Sequence, residues 1–163
     1  IELLEQMAEA GFSEGSALRL INSLYMAREE SRGFATADLA VLNLYQQTCH
    51  FIKCGASSTY FLHKGELQCI EGEALPIGVM NEMEPYMIKS GISSGDYVIM
   101  MTDGVVDSFL DAGESIDQIL AECLSDRLGA QDTADQILSE AMSCWEMTPG
   151  DDMSVMVVRL YDE

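Results

Sequence analysis

The segment from residue 36 to residue 70 limits the possible folds most strongly. It contains four short runs of β-branched, aromatic or other apolar residues, separated by polar or glycine turns: TADLAVLNLY, CHFIKCG, TYFLHKG and ELQCI. Runs of this length and composition are typical of β-strands joined by tight connections. The sequence therefore predicts an antiparallel meander over 36–70 and gives no support to a parallel, doubly wound sheet.

Helical patterns lie on both sides of this meander. Two helices are predicted in residues 1–30, where Gly11 ends the first and Ser13 caps the second. Apolar strands at DYVIMM and MSVMVVRL, which we expect to be buried, enclose two amphipathic helices in GESIDQILAECLSDRL and DTADQILSEAMSCW. An edge strand is predicted around Tyr86 to Lys89. This order predicts a single α+β domain over 1–163, with helices stacked on antiparallel sheet and the last strands and helices in 96–163.

The charge of the chain argues against two classes of partner. Its 163 residues include 8 Lys and Arg but 28 Asp and Glu, which gives a formal net charge of −20. Such a charge repels phosphate backbones and anionic lipid surfaces, so we expect no nucleic acid and no direct membrane contact. The acidic residues are spread along the chain as on a solvated face, and a cation or a basic protein surface remains compatible with them.

The five cysteines indicate a reducing compartment. Their number is odd and no Cys-x-x-Cys pair occurs, which predicts a reduced, cytoplasmic protein. Cys49, His50, Cys54 and His63 match no zinc-motif spacing and read as ordinary strand positions. No apolar run approaches the roughly 20 residues of a spanning helix, and no signal peptide is visible.

Aspartates flank the two apolar strands at DYVIMM and MSVMVV. Asp103 follows the first, and Asp151 and Asp152 precede the second, each spot beside a glycine. If the two strands are antiparallel neighbours, these carboxylates converge at one edge of a sheet. Crowded like charges are costly unless a cation neutralises them, and hard oxygen ligands suit Mg²⁺ or Mn²⁺. Each turn alone is ordinary turn chemistry, and only the pairing of two such turns with two strands favours a metal site.

The same motifs resemble a known enzyme family. MTDGVVD and TPGDDMSVMVVRL are similar to the second and third acidic motifs of metal-dependent protein serine/threonine phosphatases, the protein phosphatase 2C-like (PPM) superfamily. The segments LLEQMAEAGF, ALRLINSLY, FATADLAVLNLY, HFIKCGASSTYFLHKGEL and ALPIGV resemble its stage II sporulation protein E branch. The resemblance implies two antiparallel sheets packed face to face with helices outside. It also implies hydrolysis of phosphoserine or phosphothreonine by a water that bridges two Mn²⁺ or Mg²⁺ ions.

Roles for individual residues follow from this resemblance. Asp103 and Asp151 correspond to metal ligands, and Asp107 corresponds to a residue that holds a metal-bound water. Gly104 is given a supporting role. Asp152 is given a supporting role at most, because relatives often carry asparagine at its position. The implied substrate is a phosphorylated anti-sigma-factor antagonist protein. Full-length relatives are anchored in the membrane through a separate N-terminal region.

One departure from the family pattern concerns the bridging ligand. The first acidic motif of the family, an Asp-Gly followed closely by another Gly, supplies the carboxylate that bridges the two metals. Asp103-Gly104 is the only Asp-Gly in this sequence and already corresponds to the second motif. We therefore expect an N-terminally truncated phosphatase domain that binds the metal pair weakly and is inactive or nearly so on its own.

The two helices predicted in residues 1–30 have a structural and a functional interpretation. Their periodic apolar stripes indicate helices that face the core. The resemblance adds that helices in this region of sporulation phosphatases act as a switch that completes the metal site. A freed apolar face would favour self-association.

One alternative function is a catalytically silent interaction module in which Asp103 and Asp151 only form turns. A receiver-like phosphoacceptor domain is disfavoured, because it needs alternating β-α units and a late lysine where this sequence has Arg159.

Overall fold

The computed structural model describes residues 2–27, 33–125, 128–144 and 151–162. Within these residues it has an α+β fold of two antiparallel sheets and five helices. The helices are α1 (Glu2–Glu9), α2 (Glu14–Met26), α3 (Asp103–Asp111), α4 (Ile116–Ser125) and α5 (Ala130–Ser143). The strands are β1 (Ala37–Asn43), β2 (Thr48–Cys54), β3 (Thr59–His63), β4 (Glu66–Ile70), β5 (Tyr86–Gly91), β6 (Tyr97–Met101) and β7 (Val155–Arg159).

The chain forms two compact units, each made from two stretches of sequence. The first unit comprises Ile1–Ala56 and Gly72–Ser90 and contains α1, α2 and a three-stranded sheet in the order β1-β2-β5. Helix α2 begins after Ser13, whose side chain accepts a hydrogen bond from the Ser16 amide as an N-cap. Its apolar face closes a small core whose buried members are Leu18, Ile52, Cys54, Ile77 and Met83.

The second unit comprises Ser57–Glu71 and Gly91–Glu163. Its four-stranded sheet has the order β4-β3-β6-β7, and α3, α4 and α5 belong to the same unit. All five residues of β6 are buried, as expected for a strand with a continuous apolar sequence between two neighbours. The core of this unit includes Tyr60, Ile99, Val105, Phe109, Leu120 and Ile137.

Several predicted elements are confirmed. The helices at residues 2–26 and at 116–143 lie where their apolar periodicity places them, and β5 is an edge strand at the predicted position. Strands β6 and β7 are antiparallel neighbours, with Met101 opposite Val155. Some predicted positions lie outside the described residues. They are residues 28–30 at the end of the first helix pair, the helix residues Asp126, Arg127 and Trp145, and Pro149-Gly150 of the third motif.

The predicted meander over 36–70 is wrong. β1 pairs with β2 and β3 pairs with β4, but the two hairpins belong to different sheets. The break occurs at Gly55, which has φ +62° and whose amide donates to the Ala74 carbonyl at 2.8 Å. A Cβ on Gly55 would lie 2.4 Å from Pro76 Cγ, so the chain turns tightly here and does not continue into a hairpin with β3.

Two further expectations differ from the structure. β7 is half-buried rather than buried because it is an edge strand, and Met156 on it is 54% exposed. The turn expected after DYVIMM is the start of helix α3, which begins at Asp103 itself. No helix within the described residues is long and apolar enough to span a lipid bilayer.

Candidate metal-binding site

The predicted site residues lie where β6 ends and β7 begins. Because Met101 is opposite Val155, the segment after β6 and the segment before β7 leave the same end of the four-stranded sheet. Asp103 is the first residue of α3, and Asp151 and Asp152 lie just before β7. The register of one strand pair therefore brings the two acidic motifs together.

Thr102 ties the two segments to each other. Its backbone N–H donates to the Ser154 carbonyl at 3.0 Å, and its Oγ1 accepts from the Ser154 N–H at 2.9 Å. The same hydroxyl donates to the Asp152 carbonyl at 3.0 Å. Thr102 is the N-cap residue of α3, yet its side chain makes no capping bond to the helix. The hydroxyl instead fixes the start of α3 against the segment that leads into β7.

Gly104 allows the closest approach between the two motifs. It is buried, and a Cβ at this position would lie 2.7 Å from the Asp152 carbonyl oxygen. The Asp152 carbonyl carbon would be at 3.2 Å and the Asp151 carbonyl carbon at 3.4 Å. These are backbone atoms, which cannot rotate away as a side chain would. Only glycine fits here without moving the segment that carries Asp151 and Asp152.

The side chains of Asp103, Asp107, Asp151 and Asp152 are exposed. Asp103 Oδ1 accepts from the Gly104 amide at 3.1 Å, and Asp151 Oδ1 accepts from the Asp152 amide at 2.7 Å. Asp107 lies one helical turn after Asp103 and thus on the same face of α3. The N-terminus of α3 carries a partial positive charge that favours the Asp103 carboxylate. The structure thus leaves carboxylate oxygens of both motifs open to solvent.

The chemistry of these donors fits a hard divalent cation. Carboxylate oxygens are the ligands that Mg²⁺ and Mn²⁺ prefer. In the part of the chain that the structure describes, no three His, Cys, Asp or Glu side chains are grouped closely enough to hold a metal ion. The ligand roles of Asp103, Asp151 and Asp107, and the supporting roles of Gly104 and Asp152, therefore stay predictions.

The surroundings of Cys49, His50, Cys54 and His63 do not indicate a zinc site. Burial raises the pKa of both the Cys49 and the Cys54 thiol to about 11, which disfavours the thiolate that zinc requires. His50 Nδ1 lies 3.4 Å from Glu14 Oε1. In the second unit, His63 Nδ1 lies 2.7 Å from Asp96 Oδ2.

Sequence reasoning missed Thr102 and Ser154. A threonine directly before Asp-Gly is a common helix-start signal, which could have indicated α3. Nothing local could have indicated that its hydroxyl bonds to residues fifty positions later.

Comparison with known proteins places these features in a family. The sequence matches the family model for stage II sporulation protein E (SpoIIE) over residues 1–161. The curated stage II sporulation protein E of Bacillus subtilis (strain 168) is 31% identical over 107 residues, which are 66% of this chain and 13% of that protein. The chain thus spans only a small part of the length of this relative.

Solved structures share the fold. The PP2C phosphatase domain of SpoIIE from Bacillus subtilis, solved with a fragment of its regulatory domain, matches with a TM-score of 0.80 and 28% identity over 98% of this chain and 48% of that one. The catalytic domain of the serine threonine protein phosphatase PstP, solved in complex with 2 manganese ions, matches with a TM-score of 0.72 and 18% identity over 91% of this chain and 70% of that one. The second likeness concerns the fold alone.

Proposed function

The chain belongs to the stage II sporulation protein E family, and from this membership we propose that it forms part of a metal-dependent protein serine/threonine phosphatase domain. The observation that carries the proposal is the close packing of Gly104 on the backbone of Asp151 and Asp152. This packing brings the two acidic motifs together where β6 ends and β7 begins, as a shared metal site requires. The fold of PP2C phosphatase domains supports it further.

In this proposal the carboxylates of the two motifs bind the metal ions. Asp103 and Asp151 are ligands, Asp107 acts from the next turn of α3, and Gly104 and Asp152 hold the shape of the site. When bound, Mn²⁺ or Mg²⁺ would supply an activated water and charge stabilisation for the phosphoryl group. The two manganese ions named for the PstP structure make Mn²⁺ the first cation to test.

The proposal includes low activity for the 163 residues by themselves. The family resemblance assigns a bridging carboxylate to a first Asp-Gly motif, and the one Asp-Gly of this sequence is at Asp103. A metal pair without its bridging ligand would bind weakly. We expect turnover to need residues that supply this carboxylate.

The substrate and setting are proposed from family membership alone. The substrate is a phosphorylated anti-sigma-factor antagonist, the role is control of sporulation, and the reaction takes place in the cytoplasm. A phosphoprotein substrate can be tested directly by comparing it with a small phosphomonoester in the same assay.

The experiment uses Mn²⁺-dependent hydrolysis of a phosphoserine protein and of p-nitrophenyl phosphate. A chain extended upstream to include a first acidic motif is compared with Asp103→Asn and Asp151→Asn variants of the same chain. We expect both substitutions to lower kcat/KM by about 100-fold or more, since loss of a ligand costs more than the roughly 10- to 100-fold of an outer-shell change. Asp111→Asn is the matched control, because Asp111 is an exposed carboxylate at the far end of the same helix.

Three outcomes would contradict parts of the proposal. Full Mn²⁺-dependent activity in both variants would show that the ligand assignment is wrong. Equal rates for the 163-residue chain and the extended one would refute the need for a further carboxylate. If the extended chain bound Mn²⁺ no more tightly than an unrelated acidic protein, the metal site would be refuted and the alternative of a catalytically silent interaction module would be favoured.

A further inference from the structure

A cavity lies at the opposite end of the four-stranded sheet from the acidic motifs. Its volume is about 420 Å³. Tyr97 and Arg159, which face each other across β6 and β7, line it, whereas Met101 and Val155 form the pair at the acidic end. Four residue steps along β6 span about 13 Å. The cavity is therefore separate from the candidate metal site and does not depend on the proposed function.

The cavity collects positive charge in an acidic part of the chain. The stretches Ser57–Glu71 and Gly91–Glu163 contain three Lys and Arg residues, Lys64, Arg127 and Arg159. Arg127 lies outside the described residues, and both of the others line this one cavity. Apolar lining comes from Leu62, Tyr97 and Leu124. Asp96 also lines the cavity, and both of its carboxylate oxygens accept hydrogen bonds from backbone amides. Two cations beside one internally bonded carboxylate, together with the apolar walls, suit an anion that carries an apolar group.

Arg159 is held in place before any ligand arrives. Its guanidinium carbon lies 5.5 Å from the centroid of the Tyr97 ring. Its Nη1 donates to the Leu128 carbonyl at 3.3 Å, and the Tyr97 hydroxyl donates to the same carbonyl at 3.2 Å. A cation fixed in this way loses little conformational entropy when it binds an anion.

Lys64 occupies an unfavourable backbone position. It has φ +51° and, with Gly65 at φ +85°, forms the two-residue turn between β3 and β4. Turns of this kind favour Asn, Asp or Gly, and a left-handed conformation is unfavourable for other residues. A neutral asparagine would fit the backbone at residue 64 better than the lysine that this sequence has.

Asp96 fixes the turn and the neighbouring loop to each other. It is 1% exposed, and its Oδ1 accepts from the Lys64 amide at 3.0 Å. Its Oδ2 accepts from the Ser93 amide at 2.7 Å and lies 2.7 Å from His63 Nδ1. Because both carboxylate oxygens are hydrogen-bonded to the chain, the rim that carries Lys64 is rigid.

We propose that this cavity binds a small organic anion. A carboxylate or phosphoryl head group is attracted by Lys64 and Arg159, and a ring or aliphatic body packs against Leu62, Tyr97 and Leu124. The volume lies within the range of about 300–1,000 Å³ that is typical of small-molecule pockets.

The test is an NMR titration of the 163-residue chain in the presence of EDTA. Benzoate and phenylphosphonate are the anionic probes, and benzamide is the neutral probe of similar shape. We expect saturable shifts of the Gly65 and Gly95 amide signals with a Kd of about 1 mM, as befits ligands of this size. Binding of only one anionic probe supports the proposal and identifies the head group as carboxylate or phosphoryl.

Lys64→Asn is the decisive variant, because it removes the charge while giving the turn a residue that its backbone favours. We expect this change to raise the Kd about fivefold. Lys89→Gln is the matched control, since Lys89 is an exposed lysine that does not line the cavity. Three results would overturn the proposal: no saturable shift with either anion, equal binding of benzamide, or equal weakening by both substitutions.

Discussion

Replacing Gly104 by alanine tests whether the contact between the two acidic motifs holds the segment after β6 against the segment before β7. The new Cβ would lie 2.7 Å from the Asp152 carbonyl oxygen, where ordinary contacts begin at 3.4 Å. The backbone of Asp151 and Asp152 would therefore have to retreat by about 0.7 Å, the difference between these two distances. The movement would pull this segment away from Asp103 and weaken its hydrogen bond with Thr102.

The expected loss of stability is about 1–2 kcal/mol. Overpacking of this kind costs about 1–3 kcal/mol, and the higher helix propensity of alanine returns at most about 1 kcal/mol. For a chain of this size each kcal/mol lowers the Tm by roughly 2–4 °C. Thermal unfolding followed by circular dichroism measures the change. Titration with Mn²⁺ measures the accompanying loss of metal affinity.

Gly15 provides a matched control for this substitution. Like Gly104, it is the second residue of its helix, but a Cβ there would first meet Met87 Sδ at 3.2 Å. Met87 has an exposed, flexible side chain that can move aside. We expect Gly15→Ala to be neutral or up to about 1 kcal/mol more stable. Equal effects of the two substitutions, or a Gly104→Ala chain as stable as the parent, would refute the reasoning.

Two further predictions concern the hydroxyl of Thr102 and the buried thiols. Thr102→Val removes one donor and one acceptor between the segments after β6 and before β7, so we expect about 1–2 kcal/mol lower stability in urea unfolding. Thr102→Ser, which keeps the hydroxyl, should lose less than half as much; equal losses would contradict the role of these bonds. Burial raises the pKa of Cys49 and Cys54 from 9.0 to about 11, so the folded thiols keep their protons in a range where unfolded thiols lose them. The urea midpoint should therefore fall between pH 9 and pH 11, and less steeply in a Cys49→Ala/Cys54→Ala variant; an equal slope in that variant would exclude the thiols as the cause.

The sequence predicts most individual elements because their signals are local. The apolar period of α4 and the continuous apolar run of β6 are present in a few consecutive residues, and both elements lie where expected. Strand pairing is a different matter, since β2 and β3 are neighbours in sequence but belong to different sheets. The tight turn at Gly55 is decided by the approach of Pro76, twenty-one residues later, which no short window contains.

The candidate site shows the same division. The flanking of apolar strands by aspartates predicts that the two motifs meet, and the pairing of Met101 with Val155 confirms the strand arrangement. Asp-Gly is a turn dipeptide and predicts a turn at this position, where the structure has the start of α3. Its glycine instead serves the contact with Asp152, and such a long-range contact overrides the local preference.

The division of each unit into two stretches of sequence has a consequence for synthesis on the ribosome. The hairpin of β3 and β4 leaves the ribosome before β6 does, although β6 is the strand that covers the other edge of β3. Thirty-three residues, 64–96, lie between the end of β3 and the start of β6. At about 5–20 residues per second, this edge stays uncovered for roughly 2–7 s. During that time Thr59, Tyr60 and Phe61, which are buried in the finished chain, can pair with other nascent chains, so crowding of polysomes should lower the yield of folded protein.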